Sequence, residues 1–245
     1  MNNTSHKVVA ITGASSGIGR ATALLLAATK TKLVLGARNP ERLESVVNAI
    51  RAEGGNAVSC KVDVRCRHEM RAFVDTGLKR FGRLDVLVNN AGIGPISLFD
   101  ELRVEEWEMM IDVNLKGPLY GIAAALPVFR RQGGGHFVNV VSTAGLVLRP
   151  QMAVYAATKN ALRTIGEGLR LEAGSTLRVT NVSPGFVRTD FTSSMSNQTT
   201  KAAIEKTMKE IGLDPEDIAR AIAFAIEQPA EVEVGDIVVR PTAQG

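Results

Sequence analysis

Seven short apolar runs recur along the chain and alternate with stretches whose apolar residues repeat at helical spacing. The runs are KVVAIT from Lys7, KLVLGA from Lys32, AVSCKVDV from Ala57, LDVLVNNAG from Leu84, HFVNVVS from His136, LRVTNVSPG from Leu177 and GDIVVR from Gly235. They are nearly continuous rather than alternating in polarity, the pattern of strands buried on both faces, and such strands belong to a parallel sheet covered by helices on each side. The intervening stretches fit those helices; PERLESVVNAIRAEG, from Pro40, has proline near its start and glycine at its end. The expected fold class is therefore α/β, a three-layer, doubly wound, seven-stranded parallel sheet. A length of 245 residues suits one such sheet, and no repeat, low-complexity tract or Pro/Gly-rich linker divides it, so residues 1–245 are expected to form a single domain. The one long polar interruption, 186–212, follows a strand end and is expected to be a substrate lid.

Between the first strand and the first helix lies TGASSGIG. Gly13 allows a tight turn, while Gly17 and Gly19 remove side chains that would block a phosphate or the neighbouring strand. A helix start reached through such a turn offers free N–H groups and the positive end of the helix dipole to an anion. The spacing is GxxxGxG, and its place after the first strand points to nucleotide binding.

Composition narrows the alternatives. Hydrophobic residues make up 45% and charged residues 22%, which excludes a disordered chain. The net charge of +4 is spread out, with Arg130 and Arg131 as its densest pair, so no nucleic-acid partner is expected. No apolar run reaches membrane-spanning length and MNNTSHKVV carries no apolar leader core; no membrane partner and a cytoplasmic location are expected. Cys60 and Cys66, with His68 beyond, are too few and too loosely spaced for a zinc site, so no metal is expected. A serine hydrolase is disfavoured by the lack of a G-x-S-x-G elbow and by the scattered positions of His6, His68 and His136.

Within AVYAATKNAL, Tyr155 and Lys159 stand four residues apart, which places them one turn apart on one helix face. A phenol with an ordinary pKa of about 10 is a poor acid or base near neutrality. An adjacent ammonium would favour phenolate and lower that pKa; on spacing alone the pair reads better as an ordinary amphipathic one.

Six motifs in this order and spacing decide between those readings: TGASSGIG, NNAG at Asn89–Gly92, NLKG at Asn114, VST around Ser142, YAATK at Tyr155 and SPGFVRTD from Ser183. Almost end to end, the chain resembles a classical short-chain dehydrogenase/reductase. The resemblance implies a Rossmann fold, a nicotinamide cofactor, and interconversion of carbonyls and alcohols of a small-molecule substrate. It implies that Tyr155 is the general acid/base, that Lys159 lowers its pKa and holds the nicotinamide ribose, that Ser142 hydrogen-bonds the reacting oxygen, and that Asn114 anchors a water in a proton relay. It further places Ser15, Ser16, Ile18, Val64, Asn90, Ala91, Gly92 and Val187 along the cofactor, Asp63 at the adenine, Asn89 at the adenosine ribose, and Pro184, Gly185 and Thr189 around the nicotinamide. A homotetramer, or a dimer, is the family's usual assembly.

NADP(H) is the expected form of that cofactor. LVLGARN ends the second strand on Ala37 and Arg38 with no carboxylate before Glu41, and a guanidinium can grip a 2′-phosphate that a carboxylate would repel. Ser16 departs from the basic residue that often accompanies this preference in the family. Substrate expectations stay open between a general carbonyl reductase or alcohol dehydrogenase, a 3-hydroxy-acid dehydrogenase and a 3-ketoacyl reductase. The chain's GDIVVRPTAQG lacks the DGG segment of many carrier-bound ketoacyl reductases, and a cofactor-sensing scaffold without catalysis is the alternative from another class.

Overall fold

In the computed structural model, which describes residues 7–245, seven strands form one parallel sheet: β1 (Val8–Thr12), β2 (Lys32–Ala37), β3 (Asn56–Lys61), β4 (Val86–Asn89), β5 (Gly135–Val140), β6 (Leu177–Pro184) and β7 (Asp236–Val239). His6 and the chain start lie outside the described residues. The order across the sheet is β3-β2-β1-β4-β5-β6-β7, so the winding reverses between β1 and β4. Ligands of open α/β sheets bind beyond the carboxyl ends of the strands at such a reversal.

The described residues form eight α-helices, of which α1, α2, α3, α5, α6 and α8 pack on the sheet: α1 (Gly17–Ala27), α2 (Pro40–Ala52), α3 (Arg67–Phe81), α4 (Val104–Ile111), α5 (Gly117–Gln132), α6 (Ala153–Ala173), α7 (Gln198–Ile211) and α8 (Pro215–Glu227). Successive strand residues point to opposite faces and feed two separate cores. Val9, Ile11, Leu33 and Leu35 pack with Leu26 of α1, Leu43 and Val47 of α2, and Ile218 and Ile222 of α8. Val8, Ala10, Val34 and Leu87 pack with Phe73 of α3 and Phe129 of α5. This double burial is the physical reason for the unbroken apolar runs of β1, β2, β4, β5 and β6, while the edge strands β3 and β7 are only partly buried. Among the described residues no helix is long and apolar enough to cross a membrane.

α4 and α5 run on into one another through a π turn at Asp112–Lys116. Pro118 can offer no N–H to the carbonyl of Asn114, and the helix widens so that Gly117 N–H reaches Asp112 O. The polar segment 186–212 is less irregular than its composition suggests, holding a 3₁₀ turn at Asp190–Ser194 and then α7, whose start is capped by Asn197 accepting from Thr200 N–H.

Candidate active site

The glycine turn is fixed from behind. Asn90 Nδ2 donates to Thr12 O at 2.8 Å and Gly13 O at 3.2 Å, while Thr12 Oγ1 accepts from the amides of Asn90 and Ala91. Gly13 has φ of +66°, and a Cβ on Gly19 would stand 2.4 Å from Gly13 O. Only glycine lets the first turn of α1 sit so close to the loop. Ser16 precedes α1 in extended conformation without capping it, and no acidic side chain occupies the first turn. The orphan N–H groups of the helix start therefore remain available to an anion.

A cleft of about 710 Å³ runs from this turn across the carboxyl ends of the strands. It is bordered by Gly13, Ser15, Ser16, Gly17, Ile18, Arg38, Asp63, Val64, Asn90, Ala91, Gly92, Ser142, Tyr155, Lys159, Pro184, Gly185, Val187 and Thr189. Gly19 and Asn114 stand just behind the wall. Asn89 does not border the cleft: it is 3% exposed and donates to Asn139 Oδ1 within the sheet. Assigning it to the adenosine ribose fails on strand parity, since its neighbour Asn90 faces the cleft. Met195, in the 186–212 segment, is buried with Ile96, Met110 and Tyr155.

At one end of the cleft stand Arg38, in the turn after β2, and Arg42, in the first turn of α2, with Asp63 also on the border. Asp63 is gripped by the Arg65 side chain, a hydrogen bond that holds its carboxyl below the usual range. Arg42 Nη1 meets Asp190 Oδ2 at 3.2 Å, joining this end to the segment expected as a lid. The sequence reading missed Arg42; its four-residue spacing from Arg38 was the available signal. Near this end, Cys66, His68 and Glu69 bring ligand atoms within 4.8 Å of one another. Arg65, Arg67 and the positive start of α3 surround that cluster, so a cation there meets like charge.

At the other end, Tyr155 and Lys159 share the inner face of α6, with relative exposures of 9% and 4%. Lys159 Nζ donates to Val140 O at 2.9 Å and lies 6.0 Å from the Tyr155 ring centre. Ser142, just past β5, accepts from Ala144 N–H at 3.1 Å, and its hydroxyl hydrogen-bonds the Tyr155 phenol at the edge of the cleft. Asn114, fully buried in the π turn, accepts from Ile93 N–H and donates to Ile93 O and Thr158 Oγ1. Both of its amide hydrogens are thus used to hold the Gly92–Ile93 loop against α6. Phe191, which the sequence reading did not single out, packs edge-on against Tyr155 with ring centres 5.4 Å apart.

The electrostatics differ from the sequence argument in one respect. Burial pushes the Tyr155 phenol up to about 12, opposed by its hydrogen bond with Ser142. Lys159 is brought down to about 8, also by burial. In the protein alone, desolvation outweighs any help the ammonium gives the phenolate. A measurable consequence follows for stability. Below pH 8 both folded and unfolded chains carry the lysine proton, and the fold bears the cost of a buried ammonium. Between about pH 8 and 10.5 the folded chain has lost that proton while the unfolded chain keeps it, so stability rises with pH. From pH 7.5 to 10 the wild type should gain about 2–3 kcal/mol relative to Lys159→Met in urea unfolding. Parallel stability curves would contradict this ionisation. Tyr155 titrates the opposite way above pH 10 but is common to both proteins.

Residues 7–201 match the family model of the short chain dehydrogenases. An oxidoreductase of Staphylococcus saprophyticus, itself described as uncharacterized, is 47% identical over 248 residues, covering 100% of this chain and 99% of its own. Among solved structures, a short-chain dehydrogenase/reductase from Burkholderia phymatum in complex with NAD superposes with a TM-score of 0.90 at 28% identity, covering 97% of this chain and 90% of that one. The alcohol dehydrogenase of the archaeon Thermococcus sibiricus, complexed with 5-hydroxy-NADP, gives 0.88 at 33% identity and covers 98% of each. With its seven-stranded parallel sheet, glycine turn and Tyr155–Lys159 face, the chain belongs to the short-chain dehydrogenase family of oxidoreductases.

Proposed function

We propose that the protein is an NADP(H)-dependent oxidoreductase that reduces a small-molecule carbonyl to a secondary alcohol, with Tyr155 as proton donor. The observation that carries this reading is the convergence of a buried phenol, the serine hydroxyl hydrogen-bonded to it and a buried ammonium at one end of a dinucleotide-sized cleft. The residues fit a dinucleotide: the Gly13–Gly19 cradle would hold its diphosphate, Arg38 and Arg42 its 2′-phosphate, and Pro184–Thr189 with Lys159 its nicotinamide riboside. Bound there, the cofactor supplies hydride to the substrate carbon.

The chain's own groups do the rest. Ser142 donates a hydrogen bond to the substrate oxygen, stabilising charge that develops on it. Tyr155 gives its proton to the same oxygen. A phenol raised to about 12 stays protonated across the neutral range and so keeps a proton to give. Lys159 uses one donor on Val140 O and keeps two for a ribose hydroxyl and the proton path. Asn114 holds the loop and helix that frame this corner.

Ala144, Val147, Met152, Phe191 and Ile204 line the outer part of the cleft and suit a substrate with an apolar flank. The segment 186–212 would close over it as a lid, latched by Arg42 to Asp190. Apolar side chains left exposed at Phe99, Leu102, Met109 and Leu119, and at Phe224 and Val238, support self-association as a dimer or tetramer. The test is a panel of ketones, aldehydes, 3-oxo acids and 3-oxoacyl thioesters assayed by NADPH and NADH consumption. Turnover with preference for NADPH supports the reading. NADPH binding without turnover across the panel counts against it and favours a sensing role.

A further inference from the structure

The chain's last residues fold back into the cleft rather than trailing from β7. Gln244 borders the cleft, and its carboxamide joins two segments that flank the chemistry. Its Oε1 accepts from Phe186 N–H at 3.0 Å, and its Nε2 donates to Thr143 Oγ1 at 3.3 Å. The amide orientation is fixed, because a backbone N–H can only donate. Phe186 opens the segment read above as a lid, and Thr143 follows Ser142. A Cβ on Gly185 would lie 2.2 Å from Gln244 Oε1 and 2.9 Å from Arg240 Cβ, so the absent side chain at 185 is what admits the glutamine. Arg149, on the opposite rim, donates to Gly245 O and holds the segment down.

We propose that Gln244 is a positioning residue of the reaction, tying the base of the 186–212 segment to the Ser142–Thr143 turn and so fixing the width of the substrate end of the cleft. The inference rests on the oxidoreductase reading for its kinetic consequence and on the two hydrogen bonds alone for its structural one. Without the carboxamide, Phe186 N–H and Thr143 Oγ1 lose their common partner, and the two walls move independently. Such loosening weakens a bound substrate more than it changes the proton donor, and it leaves the diphosphate cradle untouched.

The full-length wild type, Gln244→Ala, Gln244→Glu and Thr143→Val are compared by steady-state kinetics on a carbonyl that the wild type reduces, by NADPH titration and by amide hydrogen exchange of the peptide containing Phe186. Gln244→Ala should raise KM about tenfold, roughly 1.4 kcal/mol, with kcat and NADPH affinity changed less than about threefold, and should speed exchange at Phe186 about tenfold. Gln244→Glu keeps an acceptor for Phe186 N–H and can accept from the Thr143 hydroxyl, so its exchange and KM should stay within about threefold of wild type, whereas Thr143→Val, which removes the partner of Nε2, should raise KM as Gln244→Ala does while exchange at Phe186 stays slow. An unchanged KM in Gln244→Ala, or a loss confined to NADPH affinity, would overturn the kinetic role; unchanged exchange would overturn the tether. A wild type that reduces no carbonyl refutes the carbonyl-reductase reading and the kinetic role with it, while the exchange result still decides the tether.

Discussion

Tyr155→Phe lowers carbonyl turnover by about 10²–10⁴-fold while leaving NADPH affinity within about threefold of wild type. The magnitude is that of a positioned general acid. The ring keeps its edge-on contact with Phe191 and its place in the apolar cluster with Ile96 and Met110, so the variant should fold normally. Only the hydroxyl is removed, and with it the one proton donor aimed at the same point as the Ser142 hydroxyl. Water substitutes poorly, because the phenol is largely shielded from solvent. Stopped-flow NADPH consumption, with fluorescence titration on the same samples, separates chemistry from binding. Retained turnover in Tyr155→Phe would require a different acid, for which the buried Lys159 is the nearest candidate.

Arg38→Asp shifts the ratio of kcat/KM for NADPH over NADH by about 10²–10³-fold toward NADH. Each charge-assisted contact to a phosphate contributes about 1.5–3 kcal/mol, and the new carboxylate adds repulsion to the 2′-phosphate while it accepts from a 2′-hydroxyl. Arg42, one turn along α2, keeps some phosphate affinity in the variant, so reversal should be more complete when Arg42→Ala is added. That second change also breaks the ion pair with Asp190, which is exposed and contributes less than about 1 kcal/mol to stability. Parallel assays with both cofactors settle the matter. An unaltered ratio would mean that the 2′-position is read elsewhere.

Local patterns made the fold and most of the site legible from the residues. Burial on both faces of the sheet wrote the five inner strands as apolar runs, and the four-residue spacing alone put Tyr155 and Lys159 on one face of α6. Contacts between distant segments were not legible. Asn89 and Asn90 differ only in which side of β4 each faces, and the strand's last residue had to be known to tell them apart. Arg42 meets Asp190, and Gln244 reaches Thr143, across more than a hundred residues of sequence in each case. The helix α7 was hidden by its polar composition, and the π turn by the ordinary helical period on either side of Pro118. The sign of the Tyr155 shift depends on burial, which sequence spacing cannot weigh against a neighbouring charge.

Label transfer tests the central claim most directly. Wild-type protein is given NADPH carrying deuterium at the transferable position of the nicotinamide, together with a carbonyl from the active panel, and the product is analysed by mass spectrometry. The account predicts one deuterium on the carbinol carbon of a single enantiomer, and almost none in the same time with Tyr155→Phe. An unlabelled alcohol, or equal labelling by the two proteins, would contradict it.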